Sequence, residues 1–405
     1  MQGRATTIRP SVRRPSPNSM LLAACLTTAL SGCGGDDGGG QSSASPVQIS
    51  ATPASESATA AVATTTAPST GTTVSSAAAS AVPVATPTSA TIYRGINISG
   101  GEFGGPAPGR MGTNYIYPTK AEIDYYAALG FKILRFPFLW ERLQPVMYGA
   151  LSSADQQALR EVVNYATAKG MIVILDMHNY AQRSINSYTT KVDIGSSQAP
   201  VSALVDGWVK IAYEWRYNGK VWIGLMNEPH TMTPEVWWPI AKRLITDLRA
   251  RDIWNKLLVP GTSWSGAHSW VTSGNAANAT GIKDPANNYA IEVHQYLDAD
   301  SSGTSSTCVV GSGSRVDTAI NWAKSKGGIK LFMGEMGGSG EAQCGIEYRT
   351  MLNKMEQSGV FLGWTAWGGG TWWNANYPFR TLTTSWPSTA TKTPHLTYLV
   401  EYLPQ

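Results

Sequence analysis

Two glutamates stand where a carboxylate must have partners or a use. Val221-Trp222-Ile223-Gly224-Leu225-Met226-Asn227-Glu228-Pro229 and Leu331-Phe332-Met333-Gly334-Glu335-Met336-Gly337-Gly338 each place one straight after an apolar run, and an ionised group there is costly unless solvated or paired. Set across a cleft from one another, roughly 5 Å apart, Glu228 and Glu335 would have the geometry of retaining glycoside hydrolysis, one carboxyl acting as acid/base and the other as nucleophile. Taken singly, each also reads as an ion-paired strand cap.

Other polar residues recur where apolar runs stop. Arg135 is placed to hold a carboxylate ionised, since a cation within ~4–6 Å lowers its pKa. Asn227, beside Glu228, can bond a sugar 2-OH. His294 and Tyr296 are two apart and so share a strand face; either can donate to a carboxylate or sugar oxygen, or the two can form a core pair. His178 is expected to bind a hydroxyl. Trp367, ahead of Gly368-Gly369-Gly370, suits a stacking platform, because pyranose faces are apolar C–H surfaces. Trp140, Trp264 and Trp372 are further platforms by position, whereas Trp208, Trp215, Trp222, Trp254 and Trp322 fall on periodic segments and read as core.

The elements that must position these groups are eight short aliphatic runs: Tyr93–Ile98, Ile133–Phe138, Met171–His178, Val221–Asn227, Leu257–Thr262, Tyr289–Gln295, Ile329–Gly334 and Phe361–Ala366. Between them lie helical segments at Lys120–Leu129, Ser153–Lys169, Pro200–Tyr217, Pro234–Ala250, Ser314–Lys326 and Ile346–Ser358, most stopped by a glycine, the residue that takes a left-handed cap cheaply. His268–Asn288 reads mostly as loop. Strands apolar throughout and alternating with helices predict one α/β domain, a closed (β/α)8 TIM barrel over 92–405, with an open doubly wound sheet as the alternative. In a barrel the polar strand ends converge on one face, so all the residues above would meet.

The remainder is not part of that domain. Residues 1–32 read as a signal peptide: Arg9, Arg13 and Arg14, then the apolar stretch Met20–Leu30 and small Ser31-Gly32. Leu30-Ser31-Gly32-Cys33 resembles the bacterial lipoprotein signal, which implies acylation of Cys33 and a membrane contact through that lipid only. Residues 33–91 read as a disordered tether, since Ser, Thr, Ala and Pro fill 41 of positions 42–91 and bury too little to offset ordering entropy. Export follows, either anchored at Cys33 or released by cleavage within the tether. In that setting Cys308 and Cys344 read as one disulfide pinning two loops, with free thiols or half a metal site as alternatives. Beyond residue 32 the 27 basic and 27 acidic side chains cancel, which argues against nucleic acid as a partner, and a monomer is expected.

The motifs Leu134-Arg135-Phe136-Pro137, Asp176-Met177-His178-Asn179, Asn227-Glu228-Pro229, His294-Gln295-Tyr296, Gly334-Glu335 and Trp364-Thr365-Ala366-Trp367 together resemble glycoside hydrolase family 5 endoglucanases across residues 92–405. The segment Gly130–Arg142 is similar to the subgroup shared by fungal and bacterial β-1,4-endoglucanases. The resemblance implies Glu228 as acid/base, Glu335 as nucleophile, β-1,4-glucan as substrate and no cofactor or metal. A metal hydrolase using His178 and His294 lacks an H-x-H at the first strand, where Gly95-Ile96-Asn97-Ile98 stands. A non-catalytic carbohydrate-binding lipoprotein would have no need of both glutamates, and mannan, xyloglucan or β-1,3-glucan remain alternative substrates.

Overall fold

A computed structural model of the protein describes residues 92–404 apart from Pro106, Ser187 and Ala390. The signal segment, Cys33 and the rest of the tether lie outside the described residues. All eight apolar runs are strands. In chain order the elements begin β1 (Tyr93–Ile98), α1 (Lys120–Ala128), β2 (Ile133–Phe138), α2 (Trp140–Leu143), α3 (Ser153–Ala168) and β3 (Ile172–Met177). A hairpin of β4 (Gln182–Ile185) and β5 (Thr190–Asp193) follows, then α4 (Val201–Ala212), β6 (Val221–Gly224), α5 (Pro234–Arg249), β7 (Lys256–Pro260) and a single turn, α6 (Asn275–Asn278). The chain closes with β8 (Tyr289–Tyr296), α7 (Asp317–Ser325), β9 (Leu331–Gly337), α8 (Ala342–Ser358), β10 (Phe361–Gly369) and α9 (Pro394–Val400).

The strands other than β4 and β5 form one closed parallel barrel in the order β1-β2-β3-β6-β7-β8-β9-β10, with β10 returning to pair β1. The expected TIM barrel is therefore the fold. Local chemistry sets the helix ends: Thr119 and Glu122 form a reciprocal capping box at α1, Ser152 caps α3, and Gly359 closes α8 with φ +72°.

Side-chain alternation divides the core in two. One face of the strands packs outward on the helices through a large aliphatic and aromatic cluster, while Ile133, Ile172, Ile174, Trp222, Leu258, Ala290 and Phe332 fill the barrel interior. Counting on by two from these interior positions gives Arg135, Asp176, His178, Glu292, His294 and Tyr296. An apolar floor thus carries a polar upper layer, and that layer opens at the C-terminal ends of the strands, where barrel sites form.

Several expectations need correction. The hairpin β4–β5 and the helix α9 are additions to the expected elements. The fourth barrel strand stops at Gly224, before Asn227 and Glu228, whereas β9 runs past Glu335 to Gly337. Cys308 and Cys344 are bonded, but the bridge does not join two loops: Cys344 lies in the first turn of α8 and is fully buried. Trp254 is not core; it sits in the loop before β7 and is 39% exposed.

Candidate active site

Arg135 organises the mouth of the barrel. Projecting from β2 and fully buried, its Nη1 donates to Asn97 Oδ1 (2.9 Å) and Glu335 Oε1 (3.0 Å) and lies 3.1 Å from Asp176 Oδ2. Its Nη2 donates to Asn227 Oδ1 (2.8 Å) and lies 3.1 Å from Glu292 Oε1. Burial opposes the guanidinium charge, but Asp176, Glu292 and Glu335 outweigh it and hold the group protonated above its ordinary range. A buried cation among three carboxylates is a poor source of stability. Its value is in fixing where charge sits.

Glu335 owes its aim to an irregularity in β9. Phe332 faces the interior, so strict alternation would turn Glu335 outward. The pairing of β8 with β9 slips by one residue at Gly334: Val293 is opposite Met333, but His294 is opposite Glu335. This bulge swings Glu335 inward beside His294. Gly334 is required there, because a Cβ would collide with Glu292 Oε1. Tyr296 donates its hydroxyl to Glu335 Oε2 (2.7 Å), opposite the Arg135 bond to Oε1.

Glu228 sits just past β6 with φ +40°, a left-handed conformation that a glutamate adopts only under constraint. His294 Nδ1 lies 2.6 Å from its Oε1. Carboxylate oxygens of Glu228 and Glu335 and a ring nitrogen of His294 all fall within 4.8 Å of one another. These three are also the one group among the described residues close enough to share a metal ion.

The two carboxyls titrate apart. Burial, then the charge of Glu335, raises the pKa of Glu228, and its contact with His294 only partly opposes this. Burial acts the same way on Glu335, but His294, Arg135, His178 and the Tyr296 hydroxyl together lower its pKa. For His294 burial is outweighed by Glu335 and Glu228, and its pKa is pushed up to about 10. Divergent pKa values in a close carboxyl pair mark one as proton donor and the other as anion.

The surrounding groups are placed as follows. His178 Nδ1 lies 2.7 Å from Asp176 Oδ2, and its Nε2 faces Asn227 Nδ2 at 3.1 Å. Because Arg135 holds Asn227 Oδ1, it is the Asn227 amide nitrogen that faces the ring, and burial of His178 is outweighed by Asp176, which raises the imidazole pKa. Trp367 stacks on His178 at 5.6 Å and 18°. Trp264 stacks on His230 at 4.8 Å and 5° and is 55% exposed. Trp140 is not a platform: α2 turns it inward, fully buried, with Nε1 donating to Gln144 (2.8 Å) and Arg183 over its ring. Trp372 is exposed and lines neither cavity described below.

A cavity of about 730 Å³ contains Glu228, Glu335, His294, Tyr296, Trp264 and Trp367. A second, of about 510 Å³, is lined by Glu102, Trp373 and the hairpin residues Gln182, Ser184 and Lys191. His178, Tyr180 and Trp367 line both, so the two form one groove running past the carboxyl pair. Sequence reasoning passed over Asn97, Asp176 and Glu292. The signal was present: Asp176-Met177-His178 and Glu292-Val293-His294 repeat a carboxylate two residues before a histidine on interior positions.

A (β/α)8 barrel whose mouth holds two carboxyls with pKa values driven in opposite directions within one groove defines a barrel glycoside hydrolase. The family comparison agrees, since residues 88–375 match Cellulase (glycosyl hydrolase family 5), and the chain belongs to that family. Endoglucanase 1 of Robillarda sp. is 34% identical over 73% of this chain and 83% of its own length. An endo-β-1,4-glucanase of Xanthomonas axonopodis pv. citri is 36% identical, with a TM-score of 0.71 over 77% of this chain and 98% of its own. XacCel5A, solved in complex with cellopentaose, is 37% identical with a TM-score of 0.71 over 76% and 98%.

Proposed function

We propose that this protein is a retaining endo-β-1,4-glucanase with Glu335 as nucleophile and Glu228 as acid/base. The observation that carries the mechanism is the carboxylate spacing: oxygens of the pair lie within 4.8 Å, which suits the ~5–5.5 Å of retaining enzymes and leaves no room for the water that inverting enzymes hold between carboxyls ~6.5–9.5 Å apart. Glu335, ionised by its partners, attacks the anomeric carbon as Glu228 gives its proton to the leaving oxygen. Glu228, now a carboxylate beside a charged His294, takes a proton from water, whose oxygen attacks the anomeric carbon and releases Glu335. Asn227 keeps an amide hydrogen for the sugar 2-OH, while Trp367 and Trp264 offer ring faces along the groove. Cleavage within chains fits a groove continuing on both sides of the pair, and β-1,4-glucan is the substrate class of the endo-β-1,4-glucanase relatives.

The test is viscosity loss and reducing-sugar release on carboxymethyl cellulose beside mannan and laminarin, with wild type and Glu335→Gln, and with the first-formed anomer read by NMR. Rapid viscosity loss on the cellulose derivative, initial β-anomer, and a fall of ~10³-fold or more in Glu335→Gln are expected. Initial α-anomer would overturn the mechanism, and activity on another glycan alone would replace the substrate. The leader and the disulfide further support export, with Cys33 as lipid anchor. Palmitate labelling lost in Cys33→Ala tests the anchor.

A further inference from the structure

At the pole of the barrel away from the groove, three aromatic side chains face solvent: Tyr217 is 64%, Tyr213 48% and Trp254 39% exposed. They stand on the two connections that lead into β6 and β7, neighbouring strands whose N-terminal ends lie at that pole. The polar edges of Tyr217 and Trp254 are occupied within the cluster. Asp252 accepts Trp254 Nε1 on Oδ1 (2.6 Å) and the Tyr217 hydroxyl on Oδ2, and the Trp254 backbone N–H donates to the Arg216 carbonyl (3.1 Å). The Arg216 guanidinium lies 3.9 Å from the Tyr213 ring centre and 4.7 Å from that of Tyr217, with its Nε 3.5 Å from Asp252 Oδ2.

Scattered exposed apolar residues are ordinary, but three rings gathered round one carboxylate and one cation are a built surface. Aromatic side chains lose little entropy on binding, and rings held in advance by hydrogen bonds lose less. The chemistry selects the ligand. Arg216 and Asp252 offset one another, so the cluster has no excess charge for phosphate or an anionic headgroup. Flat apolar faces with a hydrogen-bonding rim complement a pyranose, whose C–H face is apolar and whose edge carries hydroxyls.

We propose that Tyr213, Tyr217 and Trp254 form a second glucan-binding surface, separate from the groove, that holds the polymer while the groove cleaves a different segment or chain. The proposal rests on the glucanase reading above. Such a surface assists turnover of a polymer and does nothing for an oligosaccharide too short to occupy both poles.

Affinity electrophoresis through hydroxyethyl cellulose gels tests it, using full-length Glu335→Gln to prevent cleavage. Adding Tyr217→Ala and Trp254→Ala should weaken retardation about tenfold in apparent Kd, the scale of losing buried aromatic anchors. In the otherwise wild-type enzyme the same pair should slow hydrolysis of amorphous cellulose severalfold and leave cellopentaose turnover unchanged. Unchanged retardation would overturn the proposal, as would a dimer that dissociates in the double variant by light scattering. Tyr217→Ala alone keeps Trp254 and its loop intact, so if the double variant also loses cellopentaose turnover through misfolding, the single variant decides by the same gel. A wild type with no activity on any β-glucan would sink the glucanase reading instead.

Discussion

Glu335 receives hydrogen bonds from Arg135 and Tyr296 before any sugar arrives, so its charge is prepared by the protein. Tyr296→Phe isolates one of those bonds without emptying the space. As the proposed nucleophile Glu335 must be ionised; losing a donor to the carboxylate raises its pKa, so the acidic limb of the kcat/KM profile should move to higher pH. The basic limb, which the proposed mechanism assigns to protonated Glu228, should stay in place. A pH–rate series on a soluble cello-oligosaccharide checks both limbs, and a shift confined to the basic side would count against these roles. At this scale the sequence showed the residues at strand ends but not Asp176 and Glu292, because each lies two residues before a more conspicuous histidine inside an apolar run. Their role becomes visible only when β3 and β8 bring both carboxylates to Arg135.

Gly334 shows how an element, more than a residue, aims the chemistry. Gly334→Ala would press a methyl group against Glu292 and resist the bulge that turns Glu335 inward. The expected outcome is a loss of roughly 1–3 kcal/mol in stability from overpacking, with kcat falling more than KM rises; denaturant titration and steady-state kinetics separate the two. The bridge from Cys308 to Cys344 ties the connection after β8 to the start of α8, and that connection supplies Asp300 to Thr304 to the groove wall. Cys308→Ala with Cys344→Ala should cost about 2–4 kcal/mol and raise KM for long chains more than for short ones, measured on cello-oligosaccharides of increasing length. The barrel strands were legible because buried parallel strands are continuous apolar runs. The hairpin β4–β5 was not: Gln182–Ile185 and Thr190–Asp193 are mostly polar, partly exposed four-residue strands without alternation. Trp140 misled for a related reason, since its position after a strand suggested a rim, while the one-turn helix α2 folds it inward.

On the scale of the whole molecule, His294 links stability to pH. Its folded pKa of about 10 stands above the ordinary 6.5, so the stabilisation it brings is complete below pH 6.5 and disappears as pH rises through about 10. Urea midpoints should therefore fall between those limits in the wild type, and His294→Gln should flatten that part of the curve; parallel slopes in both proteins would refute the assignment. Closure of the barrel by β1 against β10 has a further consequence for how the enzyme comes into being. Arg135 and Glu335 are 200 residues apart, and Asn97 bonds the Gly334 carbonyl across 237, so no fragment that stops short of β9 holds Glu335 together with its cation. Contacts of such range form late. Hydrolysis is then withheld until the last strand has docked, and the onset of activity during refolding should coincide with final closure of the ring, making catalysis itself a report that assembly is finished.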